Sequence, residues 1–210
     1  MTCPKTLLRD IFGFDEFRPG QRDIVDAVFN GENVLAIMPT GGGKSLCFQL
    51  PALMREGLTV VISPLIALMR DQVRGLQAAG VTAGALTSGN TQEETDAVFS
   101  DLNAGKLRLL YLAPERLASS AMQSALRRYN VTSLAVDEAH CVSQWGHDFR
   151  PDYLRIGELR RSLDVPLAAF TATADEETRQ EITERLFDGD APRAFLHGFN
   201  RPNIHLSFAA

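Results

Sequence analysis

The chain of 210 residues has few cysteines, a single tryptophan and no surplus of positive charge. The cysteines, Cys3, Cys47 and Cys141, are three in number and far apart. That spacing supports neither a disulfide framework nor a zinc site, and it fits a reducing compartment. Basic residues are outnumbered 26 to 21 by acidic ones, leaving a net charge of −5. A broad basic face for coating a polyanion is therefore excluded, and any nucleic-acid contact has to be local. No apolar run is long enough to span a bilayer as a helix: the longest, Leu58–Met69, is broken by Ser63 and Pro64. The opening MTCPKTLLRD lacks the apolar stretch of a secretory signal. Repeats, low-complexity tracts and internal Pro/Gly/Ser linkers are also missing. What remains is 45% hydrophobic and 22% charged, the balance of an ordinary globular protein. Its length suits one large α/β domain better than two.

Within that length the dominant pattern is alternation. Short apolar runs at Asn33–Met38, Leu58–Ile62, Val81–Leu86, Leu107–Leu112, Val131–Val136 and Leu167–Phe170 read as strands. Between them, Leu65–Ala79, Gln92–Leu102 and Glu176–Phe187 carry helical spacing. The strand runs are nearly all apolar, as in a sheet covered by helices on both faces. This predicts a doubly wound, mostly parallel α/β sheet. Lys5–Phe12 and Arg18–Phe29 read as two preceding helices, with Pro19 in a first helical turn. At the far end, FNRPNIHLSF reads as a proline turn and the start of a further strand.

After the first strand comes Met38-Pro39-Thr40-Gly41-Gly42-Gly43-Lys44-Ser45, which opens a helix. Glycines let backbone N–H groups turn inward around a phosphate, Lys44 can reach the β/γ-phosphates, and Ser45 offers a hydroxyl to Mg²⁺. Met38 stands where the usual phosphate-loop pattern has its first glycine. A bare G-K-[S/T] arises by chance in about one chain in ten of this length, so the context carries the argument. Three glycines between a strand and a helix make a mere surface turn a poor account.

Val131–Val136 leads into Asp137-Glu138-Ala139-His140. A carboxylate at a neighbouring strand end can hold Mg²⁺, the part suited to Asp137, and a second can activate water, the part suited to Glu138. Alone, the pair reads equally as a polar strand end and helix cap. Beside the phosphate loop, coincidence is untenable. The following Cys141–Tyr153 gathers Trp145, Phe149 and Tyr153 among Gly146, His147, Arg150 and Pro151. Rings that stack on bases, with a cation for phosphate, suit single-stranded DNA, whereas a loop anchored by buried aromatics has the same composition.

These segments, with Phe14–Gln21 and Thr171-Ala172-Thr173, resemble the first RecA-like domain of superfamily 2 helicases, specifically the RecQ DNA helicases. In RecQ-like chains the phosphate loop reads MPTGGGKS, so Met38 is no anomaly. The resemblance implies ATP and Mg²⁺ as cofactors, with Lys44, Asp137 and Glu138 catalytic and Ser45 and Asp137 on the metal. It assigns ATP binding to Phe14, Arg18, Gln21, Thr40, Gly41, Gly42, Gly43, Lys44 and Ser45. A side-chain amide such as Gln21 can donate to and accept from the adenine edge, and Phe14 can stack on its face; core packing of Phe14 or an exposed Gln21 are the plainer readings. DNA binding and coupling fall to His140, Gln144, Trp145, His147, Phe149, Arg150, Arg116, Thr171 and Thr173. His140 is expected to reach toward Gln144 or Trp145, and Arg116 to meet a DNA phosphate. Thr173-Ala174-Asp175-Glu176 also fits a capping box led by Thr173. Lys5, Arg9, Arg127, Arg128, Arg160 and Arg161 read as solvated helix faces.

Taken together, residues 1–32 are expected to form N-terminal helices with the adenine segment, and 33–198 the motor domain. Residues 199–210 are expected to lead into a second RecA-like domain of the same protein. The implied activity is ATP-dependent 3′-to-5′ unwinding in DNA repair and recombination, acting on single-stranded and forked DNA, without membrane or zinc. The compartment follows the organism: cytoplasm and nucleoid in a bacterium, nucleus in a eukaryote. Two readings compete: a superfamily 2 RNA helicase, against which the aromatic loop argues, and a non-hydrolysing nucleotide-binding regulator, against which Glu138 argues.

Overall fold

A computed structural model describes residues 3–144 and 148–197. Its strands are β1 (Val34–Ile37), β2 (Leu58–Ile62), β3 (Ala83–Leu86), β4 (Leu109–Leu112), β5 (Val131–Val136), β6 (Leu167–Thr171) and β7 (Arg193–Leu196). Its helices are α1 (Pro4–Phe12), α2 (Gln21–Phe29), α3 (Lys44–Met54), α4 (Ile66–Ala78), α5 (Gln92–Asn103), α6 (Ser120–Leu126), α7 (Arg155–Leu163) and α8 (Glu176–Phe187). The strands form one parallel sheet in the order β3-β4-β2-β5-β6-β1-β7.

Alternate residues of β1 to β6 feed two separate cores. Leu35 and Ile37 of β1 join Val60, Leu110, Leu134 and Ala169 under residues of α5 to α8. Val34, Ala36 and Met38 join Val61, Tyr111, Ala135 and Phe170 under α1 to α4. Both faces are covered over β1 to β6, which is why those strands read as nearly unbroken apolar runs. Among the described residues no helix is long and apolar enough to cross a membrane.

Three expectations need correction. Helix α2 starts at Gln21, after Gly20 at φ +79°, so Pro19 precedes the helix rather than opening it. Asp175, not Thr173, caps α8 by accepting from the Thr178 N–H at 2.8 Å. Arg160 is no solvated residue: it lies over the Phe187 ring and pairs with Asp188 at 3.2 Å. Helices α6 and α7 and strand β7 were not expected. In α7, four charged side chains and Gly157 hide a thin buried stripe of Ile156 and Leu159. Gly157 is there because the helices touch: a Cβ would lie 2.3 Å from the Arg185 carbonyl oxygen of α8. By contrast α5 begins where expected, since Thr91 and Glu94 form a reciprocal capping box. At the β3 edge, the outward carbonyls of Ala83 and Ala85 accept from the side-chain amides of Gln77 and Asn90, each at 2.8 Å. The expected strand within residues 199–210 lies outside the described residues.

Candidate active site

Because the strands are parallel, the turns leaving β1, β2, β5 and β6 open at one end of the sheet, where such folds bind ligands. The turn after β1 is shaped by glycine. Gly41 and Gly43 hold φ +78° and +81°, left-handed values that glycine adopts without strain. Gly42 donates to the Pro39 oxygen at 2.9 Å, and a Cβ on Gly42 would lie 2.8 Å from that same oxygen. No side chain caps α3, so its first N–H groups face the loop unclaimed by a cap. Lys44 folds back across the turn and donates from Nζ to the Met38 oxygen at 3.3 Å. Thr40 and Ser45 flank the glycines in the same turn. The result is a cradle for an anion, with a helix N-terminus behind it.

The segment before β1 braces this cradle. Gln21 is only 3% exposed. Its Oε1 accepts from the Arg18 N–H at 2.8 Å, and its Nε2 reaches the oxygens of Gly42 at 3.3 Å and Gly43 at 3.2 Å. A Cβ on Gly43 would sit 2.2 Å from that Nε2, so the contact requires glycine. The Arg18 guanidinium donates to the Gly41 oxygen. Gln21 is thus spent on the loop, neither exposed nor presenting a free amide edge. Phe14 is 51% exposed, which sets aside core packing and leaves its face open.

Beyond β5, Asp137 is 4% exposed. Its Oδ2 accepts from Ser63 Oγ at 3.3 Å and its Oδ1 from the Glu138 N–H at 3.0 Å. Burial, and next the neighbouring Glu138 carboxylate, push its pKa up to about 6, against the pull of that N–H, Lys44 and Ser63. Two close carboxylates with one ammonium in range lack positive charge, and oxygen donors suit a hard divalent cation. Glu138 itself adopts φ +50°, ψ +48°, a left-handed conformation for a residue with a side chain. His140 Nδ1 lies 3.3 Å from Glu138 Oε2 and 2.9 Å from Thr171 Oγ1. The Thr171 hydroxyl donates to the Thr173 oxygen at 2.9 Å, so it accepts from His140 and the ring carries its proton on Nδ1. His140 therefore ties the acidic turn to the end of β6. It does not reach Gln144, whose N–H instead donates to Glu181 of α8 at 3.0 Å.

The structure gathers the remaining expected residues unevenly. Arg150 is exposed and Phe149 half-buried, while Trp145 and His147 lie outside the described residues. Arg116 is partly committed, donating to the Thr87 oxygen at 2.6 Å. Three contributors have roles here that the sequence did not suggest, and Tyr153, grouped with the rings of the aromatic loop, is buried. Ser63 had the signal of its place at the end of β2, beside Asp137. Tyr153, fully buried, donates to the Asp137 main-chain oxygen at 2.9 Å. Gln49 of α3 bonds Tyr111 at 2.8 Å and Gln72 at 3.2 Å, joining α3 to β4 and α4 with no sequence signal beyond a polar residue in an apolar helix.

A family model described as DEAD/DEAH box helicase matches residues 18–182. The chain is 46% identical over 200 residues to the ATP-dependent DNA helicase RecQ of Haemophilus influenzae, covering 95% of this chain and 32% of that protein. It is 47% identical to the RecQ of Pasteurella multocida, covering 94% of this chain and 31% of the relative. It spans about a third of the length of these curated relatives. Among solved structures, Mycobacterium smegmatis helicase Lhr bound to ssDNA and AMP-PNP superimposes with a TM-score of 0.68 at 26% identity, covering 90% of this chain and 27% of that one.

Proposed function

The chain belongs to the DEAD/DEAH box helicase family, and from that premise we propose that it is the first motor domain of a RecQ-like DNA helicase. In this reading it binds ATP with Mg²⁺ and couples hydrolysis to movement on single-stranded and forked DNA. The observation that carries it is the meeting of Lys44, Asp137 and Glu138 at one end of the sheet, with the Lys44 charge felt by Asp137. The main-chain N–H groups of the glycine loop and α3 receive the phosphates, and Lys44 supplies charge to them. Asp137 and Ser45 would hold Mg²⁺, which screens phosphate charge when bound. Glu138 accepts the proton of the attacking water. Gln21 and Arg18 shape the loop from the base side, and Phe14 offers a stacking face. The similarity to DNA helicases supports DNA as the polymer. Gln144, Trp145, His147, Phe149 and Arg150 meet it in this reading, and His140 with Thr171 and Thr173 passes the state of the acidic turn to the end of β6.

A second RecA-like domain of the same protein completes the site and supplies an arginine finger, worth about 10³–10⁵ in rate. Residues 1–210 alone are expected to bind adenine nucleotide weakly and to leave a forked duplex intact. Cysteine usage supports a reducing compartment, the cytoplasm and nucleoid in a bacterium or the nucleus in a eukaryote. The test compares ATP hydrolysis by the full-length protein with single-stranded DNA and with RNA. Stimulation by DNA alone is expected; stronger stimulation by RNA overturns the DNA assignment, and no hydrolysis with either points to a nucleotide-binding regulator.

A further inference from the structure

Tyr153 ends the aromatic loop with its ring fully buried. Its hydroxyl donates to the Asp137 oxygen at 2.9 Å, one end of the peptide that joins Asp137 to Glu138. The other end, the Glu138 N–H, donates to Asp137 Oδ1 at 3.0 Å. With both ends held, the peptide plane has one orientation, and Glu138 follows into its left-handed φ of +50°. A residue with a side chain stays there only where its surroundings over-determine it. Burial pushes the Tyr153 phenol far above its usual value, so it remains a donor at every physiological pH.

We propose that Tyr153 is a positioning residue for hydrolysis, its hydroxyl orienting the Asp137–Glu138 peptide so that the Glu138 carboxylate keeps its place at the nucleotide site. The inference rests on the reading of Glu138 as the base. Tyr153 belongs to the 3-10 turn Pro151–Leu154, and just before it the Arg150 N–H donates to the Cys141 oxygen at 2.9 Å, closing the loop at its foot. The loop and the catalytic peptide therefore share one hydrogen bond, a short path from polymer contact to the base.

The test is a double-mutant cycle in the full-length protein, reading ATP hydrolysis with saturating single-stranded DNA. Tyr153→Phe keeps the ring and removes only the donor. Its kcat is expected to fall roughly tenfold, with KM for ATP and affinity for an oligo-dT probe within about twofold of the parent. Glu138→Gln is expected to lose far more, and adding Tyr153→Phe to it should change little further, because the tyrosine acts through that carboxylate. Tyr153→Met, which also lacks the donor, should match the phenylalanine variant and stands in for it if that variant does not fold. An unchanged kcat in either folded variant overturns the proposal. So does an equal further loss in the Glu138→Gln background, which would mark a general packing defect. Retained hydrolysis by Glu138→Gln alone overturns the assignment of the base instead.

Discussion

Two turns at the same end of the sheet reach left-handed backbone by opposite means. In the glycine loop, Gly41 and Gly43 carry positive φ at no steric cost; Gln21 fills the space a Gly43 side chain would take, and Arg18 donates to the Gly41 oxygen. In the acidic turn the left-handed residue is Glu138, which cannot be glycine if it is to accept a proton. There the conformation is held by neighbouring side chains and by the Asp137 carboxylate itself. A loop that binds through its backbone can omit side chains. A turn that does chemistry through a side chain has to be held in place by others.

Substitutions separate the two. The largest effect is expected from Glu138→Gln, which removes the proton acceptor and should lower kcat by about 10²–10⁴ while Mg-ATP binding persists. Parallel loss of binding, measured by nucleotide titration, would break the division between a binding turn and a chemical turn. Lys44→Ala should lower turnover by roughly 10²–10³ and weaken ATP binding as well, with a melting temperature near that of the parent. Gly43→Ala sharpens the comparison: its Cβ meets Gln21 Nε2 at 2.2 Å at φ +81°. A cost of about 1–3 kcal/mol is expected, read as weaker nucleotide binding or a lower melting temperature.

The smallest effect is one of pH. The folded pKa of Asp137 is raised to about 6, above the unfolded carboxylate value. The native state then holds a proton that the unfolded chain has already lost, so this group's contribution to stability falls as pH rises through the interval toward 6. Between pH 5 and 7 the loss for the nucleotide-free protein is on the order of 1 kcal/mol. Subtracting the denaturation profile of Asp137→Asn isolates it from the other carboxylates. A difference curve that is flat, or that rises with pH, would mean Asp137 is not destabilised by burial and by Glu138.

Legibility followed the same divide. The strands were readable because both faces of the sheet are buried, and the glycine loop because its backbone demands a residue type that sequence displays. Asp137 and Glu138 were readable as an acidic pair, but their supports were not. Tyr153 lies 16 residues from Asp137 and Ser63 lies 74 away. Such contacts are set by strand order, which local pattern does not encode. Gln21 was recognised, yet its present partners are carbonyls of a loop 21 and 22 residues further on. Helix α7 escaped because its tight approach to α8 requires Gly157, a residue that weakens the helical signal.

The amides on Ala83 and Ala85 bear on how this sheet behaves toward other chains. A parallel sheet has two rims, and an unpaired rim is a template for a strand from a second molecule. At β3 the outward acceptors are already taken by Gln77 and Asn90. At β7 the exposed pattern, including Leu196 at 57% exposure, carries no such amide caps among the described residues. Among the described residues, side-chain amides therefore close the acceptors of one rim only. Replacing Gln77 and Asn90 with residues that cannot donate would leave the Ala83 and Ala85 carbonyls of the β3 rim open to a strand from another chain.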